Sequence, residues 1–190
     1  MDSIAAIMKR RVSCRKFSDQ TPDRETIDNL IRTAVWAPSG SNNQPWRFVV
    51  ITDREKLKVI SDAAKKSWLE ILDTAPFIRQ YEKWLSDPAY NVFYNAPALI
   101  VVYGDTSSYW RVYDCSMVAQ NINLLAEEGG LGCCWIGFAH KVLNDSVVKR
   151  ELGVPEQYEL VAPLIIGYPA VKKDRIENQI KRKPFEISYL

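Results

Sequence analysis

The chain has a single histidine, His140, in 190 residues. A Ser-His-Asp triad and a His-rich metal site therefore find little support. Cysteine is scarce as well. Cys14, Cys115, Cys133 and Cys134 show no C-x-x-C spacing, and adjacent Cys133-Cys134 cannot chelate a metal as a zinc ribbon does. They read as buried free thiols in a reducing compartment. No charge sign dominates: 25 Lys and Arg against 23 Asp and Glu leave +2, which gives no general attraction to nucleic acid or membrane. No apolar run reaches membrane-spanning length, and 96–103 and 161–166 are core strands by length. Asp2, Lys9, Arg10 and Arg11 interrupt the N-terminus, so it does not read as a signal peptide. Neither a G-x-G-x-x-G nor a Walker pattern is present, which counts against a Rossmann dinucleotide site. A soluble, cytoplasmic protein with no nucleic-acid or membrane partner is the expectation.

What is present is a core. The apolar fraction is 47%, ample for one domain or for a subunit that completes its core by dimerising. Residues 2–10 read as a short helix with Ile4, Ile7 and Met8 on one face. Thr21-Pro22 opens a second helix, with Ile27, Leu30, Ile31, Ala34 and Val35 on its core stripe. A surface helix is expected over 53–64 and a shorter one over 143–152. The long helix at 110–128 carries Val112, Cys115, Ala119, Ile122 and Ala126 on one stripe, widened by Val118, Leu124 and Leu125. Such a helix lies in the middle of the fold or at a subunit contact. Strands are expected at 46–51, 95–103, 131–138 and 159–167. Residues 65–95 hold five Trp and Tyr, with Pro76 and Pro88 as breakers, and read as mobile helices or a lid. From Pro169 a charged tail runs to Phe185, Ile187, Tyr189 and Leu190. The pattern describes one α+β domain with a sheet flanked by helices.

Three stretches carry chemistry. Ala37-Pro38-Ser39-Gly40-Ser41-Asn42-Asn43-Gln44-Pro45-Trp46 joins a helix to a strand with small residues that let the backbone approach a ligand. Its amides both donate and accept, which suits the edge of a heteroaromatic ring. Arg10-Arg11-Val12-Ser13-Cys14-Arg15-Lys16 concentrates cations around a hydroxyl, and Lys181-Arg182-Lys183 forms a second basic cluster. Arginine forks bind phosphate oxygens in a bidentate manner. Together these could hold an anionic, ring-bearing cofactor. The alternative for the basic clusters is a solvated surface or a nucleic-acid patch.

The order of motifs resembles the FMN-dependent nitroreductase superfamily. Arg11 to Phe17 resembles its R-x-S-x-R-x-F opening, and 37–46 its APS-x-x-N-x-QPW signature. Asn95-Ala96-Pro97, Asp114, Gly130-Leu131-Gly132, Trp135-Ile136-Gly137-Phe138, Gly167-Tyr168-Pro169 and Arg182-Lys183-Pro184 come in the family's order. The resemblance spans essentially the whole chain, with 65–95 unmatched. It implies an α+β nitroreductase-like fold with a central mixed or antiparallel sheet, and a domain-swapped homodimer with FMN at the subunit interface. Residues 65–95 would be a variable lid or substrate segment, and 170–190 a C-terminal arm. By the same resemblance Arg11, Ser13 and Arg15 contact the FMN phosphate, ribityl chain and ring edge, and Arg182 adds a phosphate contact. Val12 stands where a second Arg is frequent and keeps only a backbone contact. Ser39, Gly40, Asn42 and Gln44 surround the flavin ring, some from the partner subunit. Trp135, Ile136 and Gly137 line it with backbone. No protein nucleophile is required. The implied activity is hydride transfer from NADH or NADPH, through flavin N5, to a nitroaromatic or quinone. Reductive dehalogenation, oxidative flavin chemistry and a non-enzymatic flavin carrier remain the alternatives.

Overall fold

The computed structural model describes residues 3–171 and 182–190. Part of the charged tail, including Lys181 of the second basic cluster, lies outside the described residues.

The sheet consists of β1 (Trp46–Ile51), β2 (Ala98–Asp105), β3 (Gly132–Trp135) and β4 (Tyr158–Gly167), in the order β1-β2-β4-β3, with every neighbour antiparallel. Alternation along β2 sends Ala98, Ile100 and Val102 to one face. There they meet Ile27, Leu30 and Ala34 of α2 (Arg24–Ala34) and Cys115, Val118, Ala119 and Ile122 of α5 (Arg111–Glu128). Leu99, Val101 and Tyr103 point the other way, onto Leu57, Ile60 and Ala64 of α3 (Arg54–Leu69) and onto α6 (His140–Leu143). Both faces are covered, so β2 and most of β4 read as unbroken apolar runs instead of an alternating pattern. Each fully buried side chain of the Leu164-Ile165-Ile166 run contributes roughly 1.5–3 kcal/mol.

Two irregularities in β4 shape the strands on either side of it. Val102 pairs with Ala162 but Tyr103 with Leu160, so Val161 is the extra residue of a bulge. Val161 and Ala162 therefore share the α5 face, while Leu160 turns to the α3 face. Next, the Pro163 carbonyl accepts the Ile136 N–H at 2.9 Å. Proline has no N–H to return on that edge, so β3 stops at Trp135 and the chain turns at Gly137. The strand expected to reach residue 138 is shortened for this reason.

Other expected boundaries shift for local reasons. Asp23, not Pro22, starts α2: its carboxylate accepts the Thr26 N–H at 2.7 Å, and Thr26 holds that carboxyl below its usual range. The first helix, α1 (Ile4–Arg10), buries Ile7 alone and leaves Ile4 and Met8 exposed. Val112 of α5 is also exposed. The helix expected over 143–152 divides into α6 and α7 (Ser146–Glu151) because Asp145 caps α7 and Asn144 accepts the Leu160 N–H at 2.7 Å.

Segment 65–95 is a continuation of α3 to Leu69, a 3₁₀ turn at Pro76–Tyr81 and α4 (Glu82–Leu85) around Ala75, Ile78 and Leu85. Buried Lys65 ties it to α3. Its ammonium donates to the carbonyls of Tyr90 (2.8 Å) and Asp87 (3.3 Å) and pairs with Asp62 at 3.0 Å. All three partners satisfy a charge that would be costly to bury alone.

All four cysteines are buried and unpaired. Burial, helped by Asp114, pushes the Cys115 thiol up to about 12. Native protein is accordingly expected to leave its thiols unreacted with Ellman's reagent at neutral pH and to release them on denaturation. Rapid native labelling of Cys115 would contradict this packing. A second test concerns Gly132, where a Cβ would lie 2.5 Å from Cys14 Sγ. Gly132→Ala is expected to lower stability by ~1–3 kcal/mol in urea unfolding, and an unchanged midpoint would show that the two segments are not in contact.

Candidate functional site

After α1 the chain turns extended and runs beside β3. Ser13 bridges Cys133 in parallel, the Cys14 N–H donates to the Cys133 carbonyl at 3.0 Å, and Phe17 lies opposite Pro169. The sheet is thus locally mixed at this edge. Extended backbone alternates its side chains. Cys14 turns inward while Ser13 and Arg15 remain exposed, and Arg11 is half-buried. Arg10 points elsewhere, pairing with Glu127 of α5 at 2.9 Å.

The Arg15 guanidinium sits 5.7 Å from the centre of the Tyr94 ring. Both line a cavity of about 720 Å³, together with Trp135, Ile136 and Gly137 from the end of β3. The structure therefore gathers four of the expected site residues around one opening. Arg11, Val12 and Ser13 continue along the same edge strand. The rest of the wall is aromatic. Tyr81 meets Phe138 edge-on with centres 5.2 Å apart, Trp68 meets Phe77 at 6.1 Å, and the Trp68 indole N–H donates to the Phe138 carbonyl at 2.7 Å. Trp68, Phe77, Tyr81, Trp84, Tyr90 and Tyr94 were legible only as an aromatic-rich segment. Their convergence on this cavity needs the tertiary fold.

The second group sits elsewhere. Ser41, Asn42 and Gln44 adopt φ values of 52°, 56° and 47°, left-handed backbone that L residues enter only at a cost. Internal bonds hold it: Ser39 Oγ accepts the Gln44 N–H at 3.0 Å, and the Gln44 amide donates to Asn42 Oδ1 at 3.0 Å. Gly40 is pinned from below, its N–H donating to Asp114 Oδ1 at 3.1 Å. Only glycine fits there, because a Cβ would stand 2.6 Å from Trp110 Cδ1. Asp114 is 2% exposed, and its Oδ2 has no hydrogen-bond partner among the described residues.

Within one chain the two groups do not meet. Val50, Ile100, Leu164 and Trp135 form one row across the sheet. Trp135 stands at one edge of that row, and the loop joins the other edge at Trp46. The separation is roughly 14 Å across the strands and about 13 Å along them. Arg182 opens the exposed stretch 182–190 and touches neither group through a hydrogen bond or ion pair among the described residues.

The donor set fits an anionic ring-bearing group. Arg11, Arg15 and Arg182 form no salt bridge among the described residues, so their charge is not already committed to a carboxylate. The β3 end offers backbone beside an open glycine: apart from its chain neighbours, no described residue comes within 4 Å of where a Gly137 Cβ would be. No group of His, Cys, Asp and Glu among the described residues could hold a metal ion, and no described helix is long and apolar enough to cross a membrane.

Comparison with known proteins shows the family and the fold. The nitroreductase family model matches residues 8–168. A protein of Archaeoglobus fulgidus provisionally named NADH dehydrogenase/NAD(P)H nitroreductase is 31% identical, over 98% of this chain and 97% of its own. An iodotyrosine deiodinase of Nematostella vectensis is 31% identical, over 94% of this chain and 71% of its own. The crystal structure of a Bacteroides fragilis nitroreductase with bound FMN superimposes with a TM-score of 0.84, over 100% of both chains, at 22% identity.

Asp114→Ala removes the support beneath Gly40 and is expected to cost ~1–3 kcal/mol, read by urea unfolding. Asp114→Asn, which keeps an acceptor oxygen, is expected to cost less. Equal stability of the alanine variant and the parent would remove Asp114 from this role.

Proposed function

The chain belongs to the nitroreductase family, and from that premise we propose an FMN-dependent oxidoreductase. It would take reducing equivalents from NADH or NADPH and deliver them to a small electron-poor ring such as a nitroaromatic or a quinone. The observation that carries this reading is the aromatic cavity with Arg15, which forms no salt bridge among the described residues, beside the open end of β3. Arg11 and Arg182 would hold the phosphate through charge-assisted bonds, with Ser13 along the ribityl chain and Val12 contributing backbone. Trp135, Ile136 and Gly137 would line the ring. When bound, FMN supplies the hydride chemistry, so the protein needs no nucleophile of its own. Arg15 would hold positive charge beside the ring edge, where reduction builds up negative charge.

Ser39, Gly40, Asn42 and Gln44 belong to the same site in this reading, supplied by a second copy of the chain. Exposed apolar surface around the loop supports that. Trp36 is 88% exposed and Tyr113 63%, and Trp110, Val112 and Met117 of the same surface are also open. Soluble chains rarely leave such rings uncovered. Phe185, Ile187 and Tyr189 alternate along the exposed C-terminal stretch, as in an arm that lies on another subunit. Residues 65–95 act as the substrate-facing lid. Unpaired buried thiols suit a reducing compartment, and the protein is assigned to the cytoplasm.

The cavity wall also speaks to the acceptor. Arg15 is the one charged residue among the described lining residues. An amino-acid zwitterion brings an ammonium group that would find no carboxylate there, at a desolvation cost. Neutral rings are favoured over the substrate that the deiodinase relative is named for.

Purified protein is expected to be yellow, to release FMN on denaturation, and to bleach with NADH or NADPH and recolour with a nitroarene. Failure of both nicotinamides to bleach it would remove the donor assignment. Arg11→Ala and Arg182→Ala are each expected to weaken FMN retention by ~1–3 kcal/mol. Unchanged affinity in both would contradict the phosphate site.

A further inference from the structure

Adding a hydride to a quinone or a nitro group leaves an oxygen that also needs a proton. Two phenols, Tyr90 and Tyr94, line the cavity. The Tyr90 hydroxyl donates to the Tyr94 hydroxyl at 3.4 Å, and the two rings stand edge to face with centres 5.9 Å apart. Tyr94 accepts in this pair, so its own proton is left without a partner among the described residues. Burial, more than the Tyr94 contact, pushes the Tyr90 phenol well above its ordinary value, which keeps it a donor. Arg15 lies over the Tyr94 ring, the same guanidinium assigned to the cofactor edge.

The backbone shows that this placement is imposed. Tyr94 and Asn95 are consecutive left-handed residues, with φ of 54° and 53°. For a bulky aromatic residue that is a true outlier, and it persists only where the surroundings over-determine it. Here they do. Val92 and Phe93 are fully buried, the Val92 N–H is held by Ser61 Oγ at 3.0 Å, and the Tyr94 N–H by the Asn91 carbonyl at 2.8 Å.

We propose that Tyr94 is the proton donor to the acceptor's oxygen, with Tyr90 as the residue whose hydroxyl positions it through its hydrogen bond. The proposal rests on the oxidoreductase reading of the same cavity. When bound, FMN would supply the electron pair and one hydrogen as hydride. The Tyr94 O–H bond breaks and its proton goes to the acceptor oxygen. A quinone thereby becomes a hydroquinone, and a nitro group becomes a nitroso group plus water. Tyr94 phenolate, which accepts the existing hydrogen bond from the Tyr90 O–H, then takes a proton from water.

Tyr94→Phe keeps the ring under Arg15 and removes only the hydroxyl. Holoprotein reduced with dithionite and mixed with 1,4-naphthoquinone is expected to reoxidise about 100-fold more slowly in Tyr94→Phe, with Tyr90→Phe between it and the parent. FMN content stays at the parental level. Phosphate or imidazole buffer should speed Tyr94→Phe in proportion to its concentration and leave the parent unaffected. A merely structural loss would not respond to buffer acid. In equilibrium dialysis against oxidised protein, the parent should prefer 1,4-naphthoquinone to naphthalene, and Tyr94→Phe should lose that preference. Reoxidation within about twofold of the parent, slowing without buffer rescue, or an undiminished quinone preference would each overturn the assignment. A parent that binds quinone but never passes electrons to it refutes the oxidoreductase reading instead, and dialysis alone then decides whether Tyr94 donates to a ligand.

Discussion

A sheet buried on both faces can offer a ligand only its edges and strand ends, and this constraint governs the whole molecule. α2 and α5 close one face of the sheet and α3 and α6 the other. What remains accessible is the edge beside β3, where the Arg11–Phe17 strand adds on, and the loop that feeds β1 at the opposite edge. Among the described residues, the candidate site residues other than Arg182 sit in these two places. The cavity opens where Pro163 cuts β3 short, so a missing hydrogen-bond donor in a central strand is what frees backbone for a ligand.

Backbone strain has the same geography. The non-glycine residues with positive φ among those described are Ser41, Asn42, Gln44, Tyr94 and Asn95. Three lie in the loop and two beside the cavity. Each costs on the order of 1–3 kcal/mol, and neither stretch belongs to the central core. Asp114 supports the first stretch from α5, and Ser61 with buried Lys65 supports the second from α3. Each half of the candidate site is thus held by a polar side chain rooted in a different helix layer. Such sites keep their geometry without ligand, which lowers the cost of binding.

Much of this was legible in the sequence. Continuous apolar runs marked β2 and β4, and the stripe Cys115, Ala119, Ile122 and Ala126 marked the face of α5 that packs on the sheet. The strand at 46–51 needed no revision. Short-range competition hid the rest. Asp23 displaced Pro22 as the start of α2, and Asn144-Asp145 split one expected helix into two. For the candidate site, the resemblance in motif order named both groups of residues, because amides, hydroxyls and arginines at fixed spacing are visible in the sequence itself. The aromatic wall was not legible. Trp68, Tyr81 and Phe138 meet only after α3 and the turn beyond β3 are in place. The strained Tyr94 carried no local signal, since nothing in Phe93-Tyr94-Asn95 marks a left-handed bend before a buried strand.

The proposed flavin site takes the Arg11–Arg15 strand from one chain and the Ser39–Gln44 loop from another. Mixed dimers test it directly. A variant disabled at Arg11 and Arg15 and another disabled at Gly40 and Asn42 are each prepared without bound FMN. They are then unfolded together, refolded and supplied with FMN. In a shared site, half of the dimers are mixed and one of their two sites is intact, so about a quarter of the parental flavin should return. A mixture that binds no more flavin than either variant alone would contradict a site built from two chains.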